Sequence, residues 1–454
     1  MPGGIKRFIF HENRFTGPSG GSIPASAGRL FFFYRKPCSF HRVSAEGIRS
    51  FAVSMEHFGK EYSMKAEEIY QEIYHHAPED IAFSPYRICP IGAHSDHQHG
   101  KITGLAIDKG IHMAYGPKKN GVVELTSLNF EKRAQFFVNS VPPQPQHDWA
   151  DYLRGAAWAL GERYSLSVGL SGVIEGSLPI GGLSSSAAVI IAFLSALCRV
   201  NRITLAPQEM IDIAMAAEKD YVGVSVGTLD QSCEVLSRKD HLLYLDTLND
   251  NYELIPQHPD MKPYEIAIFF SGIERNLAGS KYNMRVDEVR SAAYALKAYA
   301  GMEYGKFEET YLRDVPREVY DAYKDRLPEN WRKRAEHWYS EFARVEAGAE
   351  AWRRGDLEAY GQLSFESGRS SIENWETGSD ELKTLYDIMR RTKGIYGGRF
   401  SGAGFKGCCM ALIDPAYREE ILDTVKREYL SVFPDLEGKY LGCICHSADG
   451  VSAG

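Results

Sequence analysis

The sequence predicts a chain of mixed helices and strands, large enough for two or three domains. Three observations carry this. Its 454 residues suffice for a large core. Its composition, 44% hydrophobic and 25% charged, is that of a globular protein. Strand-like runs alternate along it with stretches whose apolar residues recur at helical spacing. A net charge of −8 argues against general nucleic-acid binding, so an anionic substrate needs a local basic pocket. Several of the eight cysteines sit in apolar runs, which suits reduced core thiols in a cytoplasmic protein. Cys443-x-Cys445-His446 lacks a second pair at zinc-finger spacing and reads as strand. No apolar run approaches the ~20 residues that cross a membrane.

Residues 1–54 stand apart. They hold eight Lys or Arg against two acids, Glu12 and Glu46, with poor periodicity. A transit segment, a disordered tail and an upstream stretch before a true start at Met55 all fit. The last is preferred, because amphipathic, Glu- and Lys-bearing sequence begins at Met55. This extension is set aside from the fold.

After it, 62–77 has helical spacing and Ile81–Phe83 is strand-like. An irregular loop is expected over 84–100, where two prolines and two glycines break any regular element. That loop carries Arg87, His94, Asp96, His97 and His99, and an ionisable loop between apolar strands is more often functional than structural. As a metal site it is poor, since alternation along an extended segment sends these donors to opposite faces. Strands follow at 102–107, 111–114 and 122–125. A helix over 152–163 and a strand over 166–174 come next.

Then comes Pro179-Ile180-Gly181-Gly182-Leu183-Ser184-Ser185-Ser186-Ala187-Ala188, running into an apolar helix. Glycines permit a tight turn, and the first N–H groups of the helix lack internal partners. With the helix dipole they make a phosphate site. Three serines exceed what a helix cap needs, and their hydroxyls can bond phosphate or ligate Mg²⁺. The Walker pattern is absent.

A helix over 207–221 carries Glu218 in its last turn, and Asp230 follows a glycine turn as the better candidate for a held, functional acid. Strands are expected at 242–245 and 266–270, and helices at 282–299, 329–353 and 357–371. A second glycine block, 394–407, contains Gly402-x-Gly404-x-x-Gly407. The apolar run after it reads as strand, whereas a dinucleotide fingerprint requires a helix. A glycine loop packed close to backbone or phosphate fits better.

Taken together, Arg87-Ile88-x-x-Ile91-Gly92-x-His94-x-Asp96, Gly182–Ala187 and Ser401-Gly402-Ala403-Gly404-Phe405-x-Gly407 resemble the three motifs of the GHMP small-molecule kinases. Leu229-Asp230-Gln231 and Tyr282-Asn283-x-Arg285 resemble the galactokinase branch. The resemblance spans about residues 78 to 445. It implies an α+β fold of two domains, the N-terminal one ribosomal-S5-domain-2-like (55–255) and the C-terminal one ferredoxin-like (256–454), with the active site in the cleft between them. It implies ATP- and Mg²⁺-dependent phosphorylation of a sugar at its anomeric hydroxyl. Gly181, Gly182, Leu183, Ser184, Ser185, Ser186 and Ala187 then bind ATP, and Ser186 (or Ser185) and Glu218 carry Mg²⁺. Asp230 sits at the acceptor hydroxyl with Arg87 beside it, a cation that holds the carboxylate ionised and stabilises charge on the transferring phosphoryl group. His94, Asp96 and Tyr282 belong to the sugar pocket.

One departure concerns specificity. Galactokinases resemble Gly-Glu-His-x-Asp-Tyr where this chain has Gly92-Ala93-His94-Ser95-Asp96-His97. The family's Glu accepts from the sugar's C6 hydroxyl and repels a C6 carboxylate. Ala93 removes that charge, and His97 offers a donor. This pattern is similar to the galacturonokinase members, which act on D-galacturonate. Galactose phosphorylation is the alternative. A non-catalytic sugar and ATP sensor fits less well, because such relatives alter the second motif after the serines.

Overall fold

A computed structural model describes residues 65–451 apart from 132, 225 and 274–278. The extension 1–54, and with it Cys38, lies outside the described residues. Of the expected helix 62–77, the described part is α1 (Lys65–Tyr74), which buries Ala66 and Tyr70.

The first difference from expectation lies in β1 (Asp80–Ile88), which continues through the segment read as loop from Ser84. Pro85 is accommodated because the pairing of β1 with β2 (Lys101–Lys118) slips between Pro85 and Tyr86. A bulge tolerates a residue that donates no N–H. Arg87 therefore stands on a strand, which fixes it more firmly than a loop. The strands expected at 102–107 and 111–114 are one continuous strand, β2. It is long enough to pair at different points with β1, β5 (Gly169–Gly176), β6 (His241–Asp246) and β12 (Ser447–Ala448). With β3 (Val122–Ser127), β4 (Ala134–Phe137) and β7 (Asn251–Pro256) these form a sheet whose main path runs β4-β3-β5-β2-β6-β7, with β3 and β5 parallel.

Besides α1, which packs on β2 and β5, four helices lie near this sheet: α2 (Asp151–Gly161), α3 (Ser185–Asn201), α4 (Pro207–Ala216) and α5 (Leu229–Leu236). In α3, Ile190, Ile191, Phe193, Leu194 and Leu197 are all fully buried. A helix apolar all round belongs in a core, and each such side chain contributes roughly 1.5–3 kcal/mol by burial. That burial holds the start of α3 in one place.

The chain passes to a second sheet between Pro256 and Glu265. Its order is β11 (Leu441–Cys445), β8 (Glu265–Phe270), β10 (Cys408–Ile413), β9 (Ile395–Phe400), antiparallel throughout. Cys443 and Cys445 lie in β11, as expected of a strand, and the seven described cysteines are free thiols. Against this sheet pack α9 (Leu357–Glu373), α10 (Asp380–Arg391) and α11 (Arg418–Val432), while α6 (Gly279–Tyr299), α7 (Arg317–Tyr323) and α8 (Glu329–Arg353) share a cluster of their own and α8 also reaches β2 and β7 of the first sheet. The largest apolar core joins the two sheets: Ile88 and Leu105 belong to the same cluster as Ile268 and Met410. Among the described residues no helix is long and apolar enough to cross a membrane.

Candidate active site

The turn before α3 is strained in the way its glycines allow. Gly181 and Gly182 have φ of 140° and 87°, and Ser184 is left-handed at 64°. Ser184 occupies the cap position of α3 but makes no side-chain capping bond, and its buried Oγ has no partner among the described residues. The bland reading of the serines as helix caps therefore fails for Ser184. A hydroxyl with unmet capacity stands where the free N–H groups of α3 begin.

The second glycine block packs directly on this turn. A Cβ on Gly402 would lie 2.9 Å from the Gly182 Cα, and one on Gly407 would lie 2.8 Å from the carbonyl carbon of Gly181. Both positions also have positive φ, 67° and 108°. Two backbones meet here with no side chain between them. The residues after Gly407 form β10, so the loop lies between strands, as expected, and no dinucleotide helix follows it.

Facing this turn, Arg87 on β1 holds Asp230 on α5. Its Nε donates to Asp230 Oδ1 at 2.8 Å and its Nη2 lies 2.6 Å from the same oxygen. Nη1 donates to the Gly182 carbonyl at 3.3 Å, so one guanidinium ties the acid to the turn. Burial works against the charge of Arg87, but Asp230 more than offsets it, and the guanidinium stays protonated.

Asp96 approaches from the loop after β1. Its Oδ2 accepts from the Leu229 N–H at 3.3 Å. Gly227 makes room for it, since a Cβ there would fall 1.9 Å from that oxygen. Burial, with Asp230 nearby, pushes the Asp96 carboxyl up to about 6, and the backbone N–H groups restrain the rise. His94 is held left-handed at φ 64° within the same loop. Such strain at a polar cleft marks a functional position.

The far side of the cleft is a nest of rings. His94 stacks on Trp375 at 5.0 Å and 6°, His97 lies 5.5 Å from Trp375, and Tyr282 is 6.2 Å from His94. Behind them His337 bridges the Ser370 hydroxyl and the Ala93 carbonyl at 2.9 and 3.0 Å. Burial holds His94 well below the usual imidazole range, His97 at about 3 and His337 at about 4, so all three rings are neutral.

Arg87, Ala93, His94, Asp96, Gly181, Gly182, Ser184, Ser185, Ser186, Glu218, Asp230 and Tyr282 all line this one cleft. Three expected residues do not. Leu183 and Ala187 are buried, at 2% and 0% exposure, and point away from it, while His97 sits off the lining beside Trp375. Leu183 and Ala187 are four positions apart and share one face at the helix entry, the face that enters the core. Leu183 still contributes its carbonyl, which accepts from the Arg87 N–H at 3.4 Å. Arg285 is also off the lining and pairs with Glu288 and Glu376.

Glu218 lies in a π-helical turn, Ala217–Val222, where the helix expected to run to residue 221 loosens. It is 3% exposed and its Oε2 accepts from Gln231 at 2.7 Å. A local π turn displaces a side chain from the helix repeat and is common at functional sites. The sequence reading missed Tyr152, Phe405 and Lys406 on the lining, and Trp375 and His337 behind it. Lys406 was within reach, as the variable position inside the third motif. His337 on α8 and Trp375 just beyond α9 carry no local signal, because they lie far along the chain from the motifs.

Comparison with known proteins agrees with this geometry. Models of the GHMP kinase N-terminal and C-terminal domains match residues 151–238 and 349–431. The galacturonokinase of Arabidopsis thaliana is 39% identical over 394 residues, covering 81% of this chain and 92% of that protein. The galactokinase of Thermococcus kodakarensis is 33% identical over 354 residues, covering 78% and 94%. The crystal structure of Lactococcus lactis galactokinase complexed with galactose superposes with a TM-score of 0.77 at 27% identity, covering 85% and 97%. With this much of the chain matched at this identity, it belongs to the GHMP kinase family, in the galactokinase branch, and is a sugar kinase.

Proposed function

We propose that the protein transfers the γ-phosphoryl group of ATP to the anomeric C1 hydroxyl of D-galacturonic acid, giving galacturonate 1-phosphate and ADP. The C1 oxygen bonds to the γ-phosphorus, the bond from that phosphorus to the β–γ bridging oxygen breaks, and the hydroxyl proton is released. The observation that carries the substrate is Ala93. It lines the cleft beside His94, at the position where galactokinases resemble Gly-Glu-His, so a C6 carboxylate meets no like charge.

In this reading the turn 181–186 cradles the triphosphate with backbone N–H groups and the serine hydroxyls. Asp230 accepts the hydrogen bond of the acceptor hydroxyl and orients it, and Arg87 balances the charge that gathers there. Asp96, His94 and Tyr282 contact the sugar ring. The Ser186 hydroxyl and the Glu218 carboxylate offer hard oxygen donors on the same cleft, a donor set that fits Mg²⁺. When bound, Mg²⁺ neutralises charge on the phosphoryl oxygens. The division into an N-terminal domain to residue 255 and a C-terminal domain from 256 belongs to the same reading. It is supported by the change of sheet between Pro256 and Glu265.

The test is ADP release measured with a panel of sugars and sugar acids. Galacturonate is expected to exceed galactose by tenfold or more in kcat/KM, with activity lost on chelation of Mg²⁺. A tenfold preference for galactose overturns the substrate and leaves the galactokinase reading, which the similarity to galactokinases favours.

A further inference from the structure

The ring nest on the sugar side contains hydrogen-bonding nitrogens with nothing to bond. His94 Nε2, both ring nitrogens of His97, Trp375 Nε1 and Arg290 Nε are shielded from solvent and have no partner among the described residues. His94 is 5% exposed and Trp375 fully buried. Each unmet buried N–H costs on the order of 1–3 kcal/mol, and native structures leave few of them. Several lie together here, since His94 and His97 both pack on the Trp375 ring. Arg290 on α6 is close enough to His97 to depress its protonation further, after burial.

Arg290 differs from the other arginines around the cleft. Arg87 is committed to Asp230, Arg285 and Arg334 to Glu288 and Glu376, and Arg399 to Glu341 and two serines. Arg290 makes no ion pair among the described residues, and its guanidinium lies 5.8 Å from the Phe307 ring.

A neutral imidazole carries one N–H and one bare nitrogen, so His97 offers a single donor; with Trp375 Nε1, His94 Nε2 in its N–H tautomer and an uncommitted cation, donors outnumber acceptors here and call for a ligand rich in acceptors. An ionised carboxylate is such a group, whereas a hydroxyl brings one oxygen and one donor. We propose that the C6 carboxylate of the sugar acid is received by His94 Nε2, His97 and Trp375 Nε1, with Arg290 supplying the opposing charge. This assignment rests on the galacturonate reading and identifies the groups that meet the acid. Ala93 then removes a repulsion, and this nest supplies the attraction.

The test compares wild type with Arg290→Met, Trp375→Phe and His97→Phe on both sugars. The ratio of kcat/KM for galacturonate over galactose is expected to fall at least tenfold in Arg290→Met and Trp375→Phe, mostly through KM for galacturonate, because the lost contact lies away from the reacting atoms. Arg290→Lys is expected to restore part of it. Equal losses with both sugars, or an unmoved ratio, overturn the assignment while leaving the function intact. A wild-type enzyme that prefers galactose overturns both. Folding is bypassed by a measurement on wild type with ¹⁵N-labelled indoles. One indole N–H resonance is expected to move downfield with galacturonate and not with galactose. If none moves, Trp375 does not meet the acid.

Discussion

On the side of the cleft proposed to take the nucleotide, the site is built chiefly from backbone: the turn at Gly181–Gly182, the start of α3, and the glycines at 402 and 407 packed against it. On the side proposed to take the sugar it is built from side chains contributed by distant elements. Asp96 comes from the loop after β1, Tyr282 from α6, His337 from α8, and Trp375 from just beyond α9. The contrast shows how one cleft can keep its phosphate chemistry while changing its sugar. A backbone cradle depends on a few glycines and is insensitive to most substitutions around it. A side-chain pocket can be retuned residue by residue. Arg87 joins the two halves, since one guanidinium holds both Asp230 and the Gly182 carbonyl.

The largest expected effect tests whether the halves are separable. Asp230→Ala is expected to lower turnover about 10²–10⁴-fold with either sugar and to spare nucleotide affinity, measured by equilibrium binding. A parallel loss of nucleotide affinity breaks the distinction, because Asp230 would then be holding the turn through Arg87.

Gly182→Ala acts on the other half. Its φ is 87° and the new Cβ would meet Cys408 Sγ at 2.8 Å. A loss of about 1–3 kcal/mol in denaturant unfolding is expected from strain at such a position, together with a raised KM for ATP. The preference between sugars should not follow it. A changed sugar ratio would show that the cradle also shapes the sugar pocket.

Ala93→Glu sharpens the sugar half alone. Restoring the acid that galactokinases resemble is expected to cut kcat/KM for galacturonate by about tenfold or more, equivalent to about 1.4 kcal/mol or more, with the ratio moving toward galactose. Unchanged kinetics with both sugars removes Ala93 from the pocket.

The last effect depends on pH and concerns Asp96. Its carboxyl is raised to about 6 in the folded protein, above the ordinary carboxylate value. The folded state therefore keeps this proton over a range, from about pH 4 to 6, where the unfolded chain has lost it. The charged form costs stability above that range. Asp96→Asn is expected to raise stability at pH 7–8 by up to about 3 kcal/mol. The gain shrinks as pH falls through 6 and vanishes below about 4. Wild-type kcat/KM for the sugar is expected to fall as pH drops through about 6, and the variant to lack that limb. A variant with no stability gain at pH 8 places the cost of Asp96 elsewhere.

Much of the site was legible in the linear chain because its motifs are local. The glycine–serine turn, the second glycine block and the acid at 230 announce themselves by composition, and β1 and β10 flank them as apolar runs. The errors have local causes too. Pro85 reads as a breaker, yet a register slip admits it into β1. The helix expected to end at Tyr221 loosens at Ala217. Leu183 and Ala187 belong to the motif but are buried off the lining, since positions four apart share the helix face that enters the core.

The amino-acid order by itself pointed to the glycine–serine turn, the acid at 230 and the neutral residue at 93, because each is written within a few consecutive positions whose backbone needs are specific. Only the tertiary structure decided that Arg87 meets Asp230 and which side chains gather in the nest proposed to receive the sugar's acidic end. His97, Trp375 and Arg290 are separated by scores of residues and have no shared period, and burial in a common nest is what turns three ordinary residues into one recognition surface.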